Sequence, residues 1–196
     1  MLRRSLMLPV VLALAFTTVA PASTALVRVR VEGKTQTIFG ATQPRALATT
    51  ALDALDAASV GGEFYYHVQV TAFGPYVDQI GRYAGAGSDG WVFKVNGASP
   101  PIGADKVVLQ PGDIVLWYWA TFTTAGGPPT LDLTREQGGC YQAIARDDAG
   151  KSVPAEATLV VDGRSVPTRT GRACPGPHRG LVRATAPGAV RSNALR

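Results

Sequence analysis

The stretch WVFKVNGASPPIGADKVVLQPGDIVLWYW, residues 91–119, restricts what this chain can fold into more than any other. Two apolar-aromatic runs, Trp91–Val95 and Ile114–Trp119, have strand length and are rich in residues that suit a pleated surface. Asn96-Gly97 closes the first run, and Gln110-Pro111-Gly112-Asp113 turns the chain into the second. That second run is apolar on both faces. Ile114, Leu116 and Tyr118 point one way, and Val115, Trp117 and Trp119 the other. A single covering helix shelters one face of a sheet, so the other must meet a second domain, a partner or a ligand.

The chain opens on an export pattern. Arg3 and Arg4 precede an apolar run from Leu6 to Ala20, and Ser23-Thr24-Ala25 supplies small residues for cleavage. Residues 1–25 are therefore expected to be a signal peptide cut after Ala25, with Ala20-Pro21-Ala22 as the weaker alternative. The apolar run, about 15 residues, is short of the roughly 20 that a bilayer requires. The expectation is a protein secreted or held in the cell envelope, with no membrane span after cleavage. Export puts Cys140 and Cys174 in an oxidising compartment, and their even count predicts a disulfide.

Charge divides the remainder. Residues 26–125 hold 7 Lys/Arg against 8 Asp/Glu, and residues 126–196 hold 10 against 6. The small, Gly and Pro residues of 121–129 read as a linker between a domain at 26–120 and another at 130–196. The Arg-rich second part lacks interleaved aromatics, which argues against nucleic-acid binding.

In the first part, Val27, Val29 and Val31 alternate with Arg28 and Arg30, the pattern of a half-buried strand. Thr50 is placed to cap a helix over Ala51–Val60, with Asp53 completing a capping box and Gly61-Gly62 as the stop. Leu47, Ala51, Leu52, Leu55 and Ala58 form its apolar face. Strands follow at Phe64–Thr71 and Tyr76–Ile80, then the Trp91 and Ile114 runs. A hairpin, one helix and more strands make an α+β domain of β-grasp order. The second part has no convincing helix. Short runs at Thr130–Thr134, Cys140–Arg146, Thr158–Val161, Ser165–Thr168, Gly180–Thr185 and Ala189–Asn193, at about 10-residue spacing, predict a small all-β sandwich.

Five segments carry a resemblance: Ala51–Ala58, Gly74–Gly85, Asp89–Gly97, Ile102–Asp113 and Val115–Trp119. Through them residues 26–120 resemble the bacterial secreted domain-of-unknown-function 4430 family, which is similar to the C-terminal β-grasp domain of transcobalamin and intrinsic factor. In those vitamin carriers, the resemblance implies, a Gly-Pro-aromatic corner and a Trp-bearing hairpin help cover cobalamin. Gly74-Pro75-Tyr76 and Trp91 match these positions in type, although the helical barrel that completes the carriers' site has no counterpart here. Residues 130–196 resemble transthyretin-like or carboxypeptidase-regulatory-like sandwiches, which imply a spacer or adhesive role.

Chemistry is thinly represented. His67 falls mid-strand beside tyrosines, His178 sits in a turn and is expected to be solvated, and neither has a nucleophile motif. Asp147, Asp148 and Asp162 lack calcium-loop spacing and read as turn acids. No cofactor or metal site is expected. What remains is aromatic. Trp91, Phe93 and Tyr118 are expected under the helix, while Trp117 and Trp119 are expected to project from the opposite face. The candidate ligand set is Tyr76, Trp91, Phe93, Asn96, Trp117 and Trp119. The resulting expectation is a non-enzymatic secreted protein that binds cobalamin or another small molecule. The alternative is a structural or adhesive module that contacts a surface protein. If the indoles of the last strand lay inside their own domain instead, that face would offer no recognition platform.

Overall fold

The computed structural model describes residues 23–124 and 126–196. The expected signal peptide, residues 1–25, thus lies almost wholly outside the described residues. The strands and helix of the first part are β1 (Ala25–Glu32), β2 (Thr37–Phe39), β3 (Arg45–Ala48), α1 (Ala51–Gly62), β4 (Tyr66–Thr71), β5 (Gly74–Ile80), β6 (Tyr83–Ala84), β7 (Asp89–Val95) and β8 (Ile114–Thr121). Its main sheet runs β2-β1-β8-β7, and β3 shares the edge of β1 with β2. The central pair, β1 and β8, is parallel, and the other pairs are antiparallel. β4, β5 and β6 form a separate small sheet.

α1 starts as its sequence dictates. The Thr50 hydroxyl accepts from the Asp53 amide, and the Asp53 carboxylate accepts from the Thr50 amide. The glycines do not stop it. Both are helical, and Glu63 in the left-handed region closes the last turn. Leu47 is not on the helix face. It belongs to β3, which pairs with β1, and its side chain is exposed.

The register of β1 against β8 decides which face each residue takes. Val29 pairs with Val115 and Val31 with Trp117, whereas Arg30 pairs with Leu116 and Glu32 with Tyr118. Paired residues share a face. The valine stripe of β1 goes under α1 and brings Val115 and Trp117 with it. Trp117 is 2% exposed, and Trp119 is partly buried at the edge of the same core. The expected orientation of β8 is therefore reversed. Tyr118 is not under the helix but packs with Leu116, Ala120 and Val190 on the other face. The prediction that β8 needs a second cover holds, and the cover is the second module.

That module comprises β9 (Thr130–Arg135), β10 (Tyr141–Arg146), β11 (Ser152–Pro154), β12 (Thr158–Val161), β13 (Arg164–Pro167), β14 (Arg172–Ala173), β15 (Val182–Thr185) and β16 (Ala194–Leu195). In one sheet β10 has β9 on one side and β11 and β14 on the other. The second sheet runs β13-β12-β15-β16. Leu131, Leu133, Tyr141 and Ala143 face Leu159, Val161, Val182 and Ala184 across one core. The Cys140–Cys174 disulfide is formed, with Cα atoms 4.0 Å apart. The expected strand at Ala189–Asn193 is displaced to β16, and β11 and β14 had not been expected.

The two modules meet through charge as well as apolar packing. Arg30, expected on the polar side of a half-buried strand, and Glu32, expected in the turn that follows it, are fully buried beneath the second module. Glu32 accepts from Arg183, Arg191 and Thr37, and it lies 3.8 Å from Arg30. The 121–129 stretch runs along this seam. Phe122 bonds back to Ser88, and the Pro129 carbonyl accepts from Val190.

Candidate functional site: an aromatic cleft beside the edge strand

β7 is an edge of the main sheet, and α1 does not reach across it. Its helix-side residues, Trp91 and Phe93, are met instead by Pro75, Tyr76 and Val77 of β5. A cleft of about 320 Å³ remains between them, lined also by Leu52, Ala104 and Trp117. Phe93 and Trp117 stack with ring centroids 5.1 Å apart. Both indoles have settled hydrogen bonds: Trp91 Nε1 donates to the Tyr83 carbonyl at 2.8 Å, and Trp117 Nε1 to the Ala51 carbonyl at 3.1 Å. Their orientation is thereby held, and with both indoles 2% exposed the accessible rings of the cleft are those of Tyr76 and Phe93. The Tyr76 hydroxyl lies over Gly90, where a Cβ would approach it to 2.7 Å, so only glycine admits this contact without displacement.

The lining also carries polar groups, Ser99, Tyr118 and Asp148. Asp148, in the turn between β10 and β11, places Oδ1 3.5 Å from both the Tyr118 hydroxyl and Ser99 Oγ. The same oxygen is 3.6 Å from Lys94 Nζ. Burial, then the neighbouring Asp148 charge, pushes the Tyr118 phenol well above its ordinary value, so it stays protonated and can donate. Lys94 lies wholly inside the seam. Its ammonium donates to the Asp147 and Arg146 carbonyls and to Thr130 Oγ1, while burial lowers its pKa against the pull of Asp148. The second module thus supplies a carboxylate to a cleft built by the first.

The six candidate ligand residues are divided by the fold. Tyr76, Trp91, Phe93 and Trp117 line the cleft together. Trp119 lines another hollow, of about 470 Å³, with Lys34 and residues 188–191. It packs edge-on to Trp91 at 5.7 Å under the Lys34 ammonium. Asn96 is at the far end of β7 and holds a turn, donating to Asp113 Oδ1 at 2.7 Å and accepting from the Ile114 amide at 3.0 Å.

Residue-level reading missed Ser99, Phe122 and Asp148, whose roles depend on long-range packing. It also assigned no ligand role to Pro100-Pro101-Ile102, an apolar trio in a loop and the one local signal present. With Phe73, 96% exposed at the β4–β5 turn, this trio lines a hollow adjoining the cleft at Pro75, Tyr76, Pro100 and Gly103.

The histidines lie elsewhere. His67 Nδ1 is 2.7 Å from Asp78 Oδ1 on the exposed side of β4. His178 is not a free turn residue: Nδ1 donates to the Gly176 carbonyl at 2.8 Å, leaving Nε2 to accept from the buried Tyr141 hydroxyl at 3.0 Å. Among the described residues no cluster of His, Cys, Asp and Glu is placed to hold a metal, and no helix is long and apolar enough to cross a membrane.

Residues 48–121, from the end of β3 through β8, match the family model "Domain of unknown function (DUF4430)". The matched segment carries α1 and all four aromatic residues of the cleft; β1, β2, most of β3 and the second module lie outside it. A protein from Ruminococcus gnavus ATCC 29149, provisionally described as metal binding, is similar to 50% of this chain over 99% of its own, with 11% identity and a TM-score of 0.37. No curated protein matches.

Proposed function

We propose that this is a secreted, non-enzymatic binding protein whose first module is a β-grasp domain of the transcobalamin-like kind. The parallel β1–β8 pair at the sheet centre, with one helix crossing one face, supports that reading of the fold. The observation that carries the function is the cleft between β5 and β7, where Tyr76 and Phe93, the latter stacked on the buried Trp117, offer apolar ring surface beside Asp148. At about 320 Å³ it is at the small end of ligand sites. It accommodates a ring system or the rim of a larger planar molecule such as a corrinoid, and not a whole cobalamin. The footing of the proposal is therefore the β7 edge rather than an exposed Trp117–Trp119 face.

The test is calorimetric titration of the signal-cleaved chain with cyanocobalamin and, separately, with anilinonaphthalene sulfonate as an apolar aromatic probe. Saturable binding that weakens about tenfold in Tyr76→Ala and Phe93→Ala is expected, since each removes one aromatic contact. Absence of saturation with both compounds to high micromolar concentration would discard the proposal. Binding of the probe without the vitamin would retain the cleft and reject the corrinoid.

One observation favours the alternative, a structural or adhesive surface module: the second apolar face of β8 is spent on contact with the second module. Binding of neither compound, together with retention of the protein on isolated cell envelopes, is the result that reading expects.

A further inference from the structure

On the side of the sheet away from α1, a cavity of about 430 Å³ runs along the seam between the modules. Its walls carry Arg28 and Arg30 from β1, Arg135 from β9 and Arg146 from β10, with Asp132 as the one carboxylate. Asp132 is already engaged, because Arg146 Nε donates to it at 2.6 Å. Arg28 is exposed and has no carboxylate partner among the described residues, while Arg135, also exposed, donates through Nη1 to the Arg196 main-chain oxygen at 3.0 Å and keeps its other N–H groups for a ligand. Arg28 is also paired directly across the β1–β3 ladder with Arg45, an arrangement of like charges that disfavours the sheet unless something neutralises it.

Arg30 adds an independent sign. Its guanidinium is fully buried, with Nη1 donating to the Arg191 carbonyl at 2.7 Å and Nη2 to that of Leu131 at 3.5 Å, but Nε has no partner. Its nearest carboxylate, Glu32, is shared with Arg183 and Arg191. One carboxylate thus serves three guanidiniums in a seam where water screens little.

We propose that this seam is a binding site for a small molecule bearing carboxylate or phosphate groups, with Arg28 and Arg135 gripping it from the two modules. The planar guanidinium fork suits either group. An anion there relieves the Arg28–Arg45 repulsion and adds counter-charge beside Arg30, whose Glu32 is shared with Arg183 and Arg191. Burial, with the Arg183 and Arg191 charges, holds the Arg30 pKa down to about 10 against the pull of Glu32 and Asp132, in the direction that a bound anion reverses. Because the two gripping residues come from different modules, the ligand also tightens the modules against each other. The site is separate from the aromatic cleft and stands whether or not that cleft binds a ligand.

Citrate and pyrophosphate separate the two chemistries. Each is titrated calorimetrically at low salt into the signal-cleaved chain, into an Arg28→Ala/Arg135→Ala variant, and into a Lys106→Ala/Arg169→Ala variant that loses equal charge at exposed positions away from the seam. Saturable binding of at least one anion is expected, weakened about tenfold or more in the first variant and unchanged in the second. The bound anion should also raise the unfolding midpoint of the unsubstituted chain. Failure of both anions to saturate overturns the proposal, as does equal weakening in the two variants. Both substitution pairs are at exposed positions, and circular dichroism confirms that each variant is folded before it is titrated.

Discussion

Glu32 is a fully buried carboxylate whose partners are three arginines, two of them on the far side of the modular seam. Removing its charge leaves Arg30, Arg183 and Arg191 facing one another without water. Glu32→Gln is therefore expected to cost about 3–5 kcal/mol in urea unfolding, and Glu32→Gln/Arg183→Met less than the single change. The tyrosines give a pH-dependent counterpart. Partial burial, then the hydrogen bond to Asp56, raises Tyr66 to about 12, and burial raises Tyr118 as well, whereas hydrogen bonds from Thr35 and Arg82 lower Tyr83. A phenol whose folded pKa lies above its unfolded value adds stability that is complete below the unfolded value, near 10, and is lost as pH rises through the folded value. Absorbance titration should show Tyr83 ionising first and a late phase from Tyr66 and Tyr118. That phase should disappear in Tyr66→Phe/Tyr118→Phe.

At the scale of elements, α1 was the most legible because its start is a local contract between Thr50 and Asp53. Thr50→Ala breaks both reciprocal bonds and is expected to cost about 1 kcal/mol, read from a shift in the denaturant midpoint at constant slope. The short strands were not legible. Arg45–Ala48 reads locally as helix, yet it becomes β3 because β1 offers a ladder from Ala25↔Ala48 to Arg28↔Arg45. The same ladder bears on processing. Ala25 is buried, so cleavage after it would remove a paired residue and leave the new terminus at Leu26. On the export proposed above, cleavage after Ala22 preserves the ladder, and Ser23 is the amino terminus that sequencing of the processed chain is expected to find.

For the whole molecule, the seam determines how the modules unfold. All three tryptophans, Trp91, Trp117 and Trp119, are in the first module, while strands of both contribute to the far-ultraviolet signal. Burial of Arg30, Glu32 and Lys94 between the modules makes separation costly, so fluorescence and circular dichroism should report one coincident transition. Replacing Cys140 and Cys174 by serine removes the loop closure between them and is expected to lower stability by about 3–4 kcal/mol. Because the modules share one seam, the loss should appear in the tryptophan signal even though the disulfide belongs to the other module.

From residues alone it was possible to derive the strand-rich composition of both modules, the capped helix, the cysteine pair and the need of β8 for two covers. Each follows from local turn chemistry, from side-chain alternation or from counting. Which indole lies under the helix, and what covers the other face, were decided by tertiary structure. Alternation separates the side chains of a strand into two sets but does not say which set points inward. That choice came from the neighbouring strand: the valines of β1 had to meet α1, and its Arg30 and Glu32 had to meet partners that only the second module supplies.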